Sequence, residues 1–298
     1  MSSNADLLKQ RLSSCAEDVE SALVAVFADG DEDIKVIFDA VQYSLLAGGK
    51  RIRPFLVLSV CEMLGGNRDA AIPFAAAIEM IHTYSLIHDD LPCMDDDDLR
   101  RGRPTSHKVY GEAIALLAGD ALLTHAFGVA AGNDYVSPEI RARAVKLISH
   151  GAGCFGMIGG QVLDMLGEDA PHGFELLEKM HSMKTGALIS LSAELGALAA
   201  GVTDSKVISA VRTYAKNIGL AFQIIDDILD ATGDEATLGK SVGTDEKENK
   251  TTFLTFMSET EAREYAQKLT DSAKNAIADI KDYDTLLALA DYLLQRNK

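Results

Sequence analysis

The chain has 298 residues, of which 28 are Lys or Arg and 45 are Asp or Glu, a formal net charge of −17. Apolar residues make up 47% and charged residues 24%, enough apolar material for a core and too much for intrinsic disorder. The sequence pI near 4.7 argues against a nucleic-acid footprint and against electrostatic docking on anionic lipid.

In chain order, Met1 to Glu20 is polar and charged, with no basic stretch leading into an apolar one, so no secretory leader is read there. No unbroken apolar run approaches the roughly 18 residues that span a bilayer. Ile34, Ile37, Phe38, Val41, Leu45 and Leu46 form one stripe, which predicts an amphipathic helix over 34–46. Gly48-Gly49-Lys50-Arg51-Ile52-Arg53-Pro54 then sets three cations behind two flexible glycines. Prolines are expected as punctuation, Pro73 after the Gly65-Gly66-Asn67 break among them. The stretches 113–118 and 187–202 are apolar nearly all round, which predicts helices inside a bundle. Leu286, Leu289, Ala290, Leu293 and Leu294 form a closing stripe. No hairpin-bounded alternation, linker or repeat appears, so one all-α domain over 1–298 is expected. The four cysteines (Cys15, Cys61, Cys93, Cys154) lack metal spacing and are expected as buried free thiols in a reducing cytoplasm.

Two acidic clusters interrupt this pattern. Six of the ten residues from 89 to 98 are aspartate. A solvated loop is the ordinary reading of such a run. Here, however, Asp89 and Asp90 directly follow an apolar helical run, and Pro92 biases Leu91 out of the helix, so the helix is expected to end near Asp90. Carboxylates at a helix C-terminus oppose the dipole and call for a compensating cation. In the second cluster, Asp226, Asp227 and Asp230 share one helix face among Ile224, Ile225, Ile228 and Leu229. Such hard oxygen donors suit Mg²⁺, which also takes substrate phosphate oxygens. The EF-hand spacing is absent from both.

The cations cluster as well. Besides 50–53, Arg100, Arg101 and Arg103 follow the first acidic cluster, Lys184-Thr185-Gly186 lies in an apolar stretch, and Lys240, Lys247 and Lys250 follow the second. Each could be a plain surface charge, and Lys247 is read so. Together they imply two anion sites, one bridged by Mg²⁺ and one held directly by cations. No P-loop, dinucleotide fingerprint or nucleophile elbow is present. His88 is read as a structural hydrogen-bonding group.

With these motifs in view, the sequence resembles the trans-isoprenyl diphosphate synthases over nearly its whole length, most of all the bacterial farnesyl diphosphate synthases. The likeness rests on 48–54, on Asp-Asp-x-x-x-x-Asp with Arg-Arg-Gly at 89–102, on 184–186 and on Phe-Gln-x-x-Asp-Asp-x-x-Asp at 222–230. The resemblance implies an all-α bundle around a deep central cavity, usually a homodimer. It assigns Asp89, Asp90, Asp95, Asp226, Asp227 and Asp230 to Mg²⁺, typically three ions per site. Arg100, Lys184, Lys240 and Lys250 would meet the allylic diphosphate, and Lys50, Arg53, His82 and Arg101 isopentenyl diphosphate. Thr185 and Gln223 would present oxygen dipoles near the developing carbocation. Asn249 stands where Gly is common, a departure that a left-handed turn tolerates.

Product length is a packing question in this family. Tyr84 and Ser85 lie one turn before Asp89, and a bulky Tyr84 flooring the pocket favours a C15 product; alternatively Tyr84 is only a core residue. The four residues inside the first motif also occur in enzymes making C10 and C20 products. A terpene cyclase and a non-catalytic acidic metal-binding helical protein are the competing readings; neither explains Gly-Gly-Lys-Arg.

Overall fold

A computed structural model describes residues 4–169, 173–232 and 251–296. Lys240, Lys247, Asn249 and Lys250 lie outside them. In chain order the helices are α1 (Asn4–Val26), α2 (Lys35–Leu45), α3 (Ile52–Met63), α4 (Arg68–Asp89), α5 (Ser106–Tyr110), α6 (Glu112–Ala131), α7 (Pro138–Ala152), α8 (Met157–Asp169), α9 (Phe174–His181), α10 (Ala187–Ala199), α11 (Ser205–Thr232), α12 (Glu259–Ala276) and α13 (Asp284–Leu294). A two-residue hairpin, β1 (Leu99–Arg100) with β2 (Arg103–Pro104), stands between α4 and α5. Its turn, Arg101-Gly102, has φ of 55° and 74°, the left-handed pair that a tight primed turn requires.

The fold is all-α. At its centre α3, α4 and α10 are buried nearly all round. Small residues let them approach closely: a Cβ on Gly196 of α10 would lie 2.4 Å from the Val57 carbonyl oxygen of α3. α1 covers them through Leu8, Cys15, Val19 and Leu23, spaced at helical intervals. A second, smaller apolar cluster joins α9, the last turns of α11, Phe253 and α12. It lies under the second acidic motif.

The α10 and α13 expectations match: Leu286, Leu289, Ala290 and Leu293 are all buried. Several others need correction. Ile34 is 52% exposed and precedes α2 in a 3₁₀ turn, so the buried stripe there is Ala40, Val41 and Leu45. Residues 113–118 are not interior on all sides. α6 buries Ala115, Ala118, Leu122, Ala126 and Ala130 against α4 but exposes Leu116 and Leu117. Pro73 does not separate elements; it sits in the second turn of α4, where it removes one ladder bond near the helix start. Cys15 and Cys61 are buried, but Cys93 and Cys154 are exposed; all four are free. Finally, α4 and α6 are each long and apolar enough on average to cross a membrane, although polar residues break any continuous run; 72% of the α4 stretch and 33% of the α6 stretch is buried inside the protein.

Candidate active site

The helix carrying the first acidic motif starts on an Asn67 cap, whose side chain accepts the Asp69 amide, and ends at Asp89 with Asp90 as its C-cap. Its inner face is set by spacing. Glu79, His82, Leu86 and Asp89 fall three or four residues apart, so His82 and Asp89 share a face about 10 Å apart along the axis. The compensating cation that the dipole calls for is Arg100, delivered by the hairpin. Its Nε and Nη2 donate to Asp90 Oδ1 at 2.8 and 2.5 Å, and Nη2 also to Asp97 Oδ2 at 2.9 Å. Burial raises the Asp90 carboxyl, and the Arg100 bonds pull against it. Asp89 gains less relief. Burial pushes it up to about 6, opposed by Lys184 and reinforced by Asp95. Asp95 is exposed, and its amide donates to the Asp89 carbonyl.

Lys184 and Thr185 sit in a π-helical turn, Ser182–Gly186, between α9 and α10. The wide turn belongs to a family of helix irregularities found at functional sites. α8 reaches it closely, since a Cβ on Gly160 would lie 2.1 Å from the Lys184 nitrogen. Asp164, one turn further along α8, accepts from Lys184 Nζ at 2.5 Å. Sequence reasoning missed Asp164, although a lone mid-helix acid after Gly159-Gly160 in an apolar helix is a visible signal. Thr185 Oγ1 donates to Gln223 Oε1 at 2.5 Å, tying this turn to α11 just before its aspartates.

On α11, Asp227 and Asp230 are buried and Asp226 is partly open. The Phe253 amide donates to Asp227 Oδ2 at 2.8 Å. Arg296 Nη1 donates to Asp226 Oδ1 at 2.8 Å, while its guanidinium lies 4.3 Å over the Phe222 ring. Phe222 opens the motif at 222–230 and Arg296 lies in the chain's closing run, but sequence reasoning assigned neither of them a role.

A cavity of about 460 Å³ opens beside these groups, lined among others by Lys50, Arg53, His82, Arg101, Phe222 and Arg296. All four residues assigned to the second anion are therefore together. Burial lowers Arg53 to about 10, and its Nε is buried without a hydrogen-bond partner. Burial, then Arg53 and Arg101, hold the His82 imidazole well below its ordinary value. Burial also lowers Arg101, which bonds the Gly48 carbonyl. Gly49 is required here. Its φ is 127°, and a Cβ would lie 2.7 Å from the Arg101 guanidinium. Lys50 and Arg101 are exposed and Arg53 is half-buried with one orphaned donor, a set of cations suited to an anion.

Tyr84 is buried in the main core. Its ring meets that of His88 edge-on at 5.7 Å, and its hydroxyl has no partner. Ser85 Oγ donates back to the His82 carbonyl at 2.9 Å. Neither lines the 460 Å³ cavity. Among the described residues no three acidic, thiol or imidazole side chains converge into a ready-made metal cage. The donor chemistry still fits a divalent cation completed by ligand oxygens, because the half-buried Asp89 and the buried Asp90, Asp227 and Asp230 offer hard carboxylate oxygens.

Known proteins resemble this chain over most of its length. The polyprenyl synthetase family matches residues 34–289. The farnesyl diphosphate synthase of Escherichia coli K12 is 44% identical over 97% of this chain and 99% of its own length. The large subunit 1 of a heterodimeric geranylgeranyl pyrophosphate synthase from Arabidopsis thaliana chloroplasts is 48% identical, over 87% of this chain and 72% of that one. Among solved structures, the apo form of an FPP/GFPP synthase from Zymomonas mobilis superposes with a TM-score of 0.88 at 34% identity, covering 97% of this chain and 99% of that one.

Proposed function

The chain belongs to the polyprenyl synthetase family, and from that premise we propose that this trans-prenyl diphosphate synthase makes (E,E)-farnesyl diphosphate. It would condense isopentenyl diphosphate first with dimethylallyl and then with geranyl diphosphate. The observation that carries the reading is the cationic cavity with the orphaned Arg53 Nε, whose lining residue Arg296 pairs with Asp226 of the second acidic motif. One such cradle and a separate pair of acidic motifs suit two diphosphates, not one.

Family membership implies dependence on a divalent metal; we take it to be Mg²⁺, three ions per site, held by Asp89, Asp90, Asp95, Asp226, Asp227 and Asp230. When bound, Mg²⁺ supplies Lewis-acid stabilisation of the departing diphosphate. The protein's own part is positioning and charge. Arg100 and Lys184, with Lys240 and Lys250 outside the described residues, hold the allylic diphosphate. Lys50, Arg53, His82 and Arg101 hold isopentenyl diphosphate, with a His82 ring N–H as one donor. Thr185 and Gln223 place oxygen dipoles near the carbocation. The proton lost after carbon–carbon bond formation passes to released diphosphate, so no protein base is assigned.

The C15 product rests on Tyr84 as the pocket floor and on the full-length likeness to the E. coli enzyme. Geranylgeranyl diphosphate is the second reading, because relatives named for that product are equally similar. We further propose a homodimer joined through the exposed apolar side of α6, and a cytoplasmic setting in keeping with four free thiols. The test is product analysis. Protein, dimethylallyl diphosphate, excess isopentenyl diphosphate and Mg²⁺ are incubated, and the dephosphorylated alcohols weighed by mass spectrometry. A dominant C15 alcohol is expected. A C20 or C10 alcohol would overturn the length assignment, and no product from folded protein would overturn the reaction.

A further inference from the structure

We propose that Arg51 is the positioning residue of the cationic cavity, clamping the 48–53 segment so that Lys50 and Arg53 face an incoming diphosphate while Arg51 itself binds none. The inference rests on the assignment of that cavity to isopentenyl diphosphate.

Arg51 differs from its neighbours. Its side chain is 1% exposed, and each of its guanidinium nitrogens is engaged by the protein. Nη1 donates to Glu79 Oε1 at 2.5 Å. Nε and Nη2 donate to Glu20 Oε1 at 3.3 and 2.9 Å. Nη2 also donates to the Leu45 carbonyl at 2.5 Å. One side chain thus ties the segment to α1, to the end of α2 and to α4. Arg53, two residues on, has a buried Nε with no partner. Two arginines of one short run therefore differ in what they offer a ligand. Arg51 is saturated by protein, and Arg53 is held open.

The backbone agrees. Arg51 has φ of 48°, and Gly48 and Gly49 before it also have positive φ. A non-glycine residue in that region persists only where its surroundings over-determine it. A buried ion pair is weak evidence for added stability, but it is an effective means of fixing one arrangement. Glu79, 2% exposed on its side chain, lies one turn before His82 on α4, so the clamp and the imidazole share one helix face. Glu79 also attracts Arg53 and Arg101. Without Arg51, its carboxylate is free to take one of those cations from the diphosphate.

The test uses calorimetric binding of isopentenyl diphosphate to the full chain without metal, steady-state kinetics, and thermal unfolding. Arg51→Lys keeps a charge against Glu79 but loses the fork that reaches Glu20 and Leu45. Arg51→Met/Glu79→Met removes the buried pair and leaves Glu20, which is 38% exposed on its side chain, to solvent. In both, affinity and KM for isopentenyl diphosphate are expected to worsen by about tenfold or more, with KM for the allylic substrate within about twofold. A merely structural Arg51 would move both substrates together or neither. A folded variant of either kind with wild-type affinity for isopentenyl diphosphate overturns the inference. Wild-type protein that binds none of this ligand overturns the site assignment beneath it, a separate result.

Discussion

Asp89 is held by burial above the ordinary carboxylate range. Burial lifts its carboxyl from 3.8 to about 6, and Lys184, the strongest opposing charge, is already engaged by Asp164. An acid whose folded pKa lies above its unfolded one costs stability as pH rises from about 4 through about 6, and the cost is complete above that window. Asp89→Asn in chelator-treated protein is therefore expected to match wild type at pH 4 and to be more stable at pH 7.5, by on the order of 2–3 kcal/mol. Denaturant unfolding at the two pH values measures this; a less stable Asn variant at pH 7.5 would contradict it. Function should show the reverse. Asp89→Ala and Asp226→Ala are each expected to cut turnover by about a thousandfold or more while near- and far-UV circular dichroism stay unchanged. Wild-type turnover in both would remove the aspartates from the mechanism. These aspartates were legible because carboxylates inside apolar helices have no bland explanation. Asp164 and Arg296 were not, because each is a single charge whose partner is distant in sequence: Arg296 meets Asp226 across 70 positions.

At the scale of the element, α4 joins the two halves of the site. One face carries Glu79, His82 and Asp89, and the other turns Tyr84 into the core. The 3.6-residue period made that division readable, as it did the shared face of Asp226, Asp227 and Asp230. The π-helical turn at 182–186 was not readable, since its residues carry ordinary helical signals and its close contact with α8 at Gly160 is made only in the folded chain. The interior assignment of 113–118 failed for a related reason: apolar composition states what a helix can bury, not what covers it. Tyr84 gives the element-scale prediction. As the pocket floor, Tyr84→Ala should shift the product mixture from C15 towards C20 and longer alcohols, read by mass spectrometry. An unchanged C15 product would leave Tyr84 as core packing only.

For the whole molecule, the net charge of −17 and the cationic cavity coexist because field at a site is local. An acidic surface leaves room for an anion site, because Lys50, Arg53, His82 and Arg101 line one cavity. The exposed apolar side of α6, with Leu116 45% and Leu117 52% open, is the surface that a second copy would cover. Leu117→Glu is expected to convert a dimer to monomer in light scattering, with the helical circular dichroism retained; a wild-type dimer mass in the variant would place the interface elsewhere. The all-α bundle was legible as a class from periodicity and composition. Its second apolar cluster under α11 was not, because Phe253 and α12 reach that site only through tertiary packing.

The most direct measurement is a crystal structure of the protein with Mg²⁺, isopentenyl diphosphate and a non-ionisable thio analogue of the allylic diphosphate. Two diphosphates are expected. One should lie on Lys50, Arg53, His82 and Arg101. The other should be bridged by metal to Asp89 and Asp226, with Arg100 and Lys184 turned towards it. A single diphosphate, or two that both avoid the cationic cavity, would contradict the two-site account.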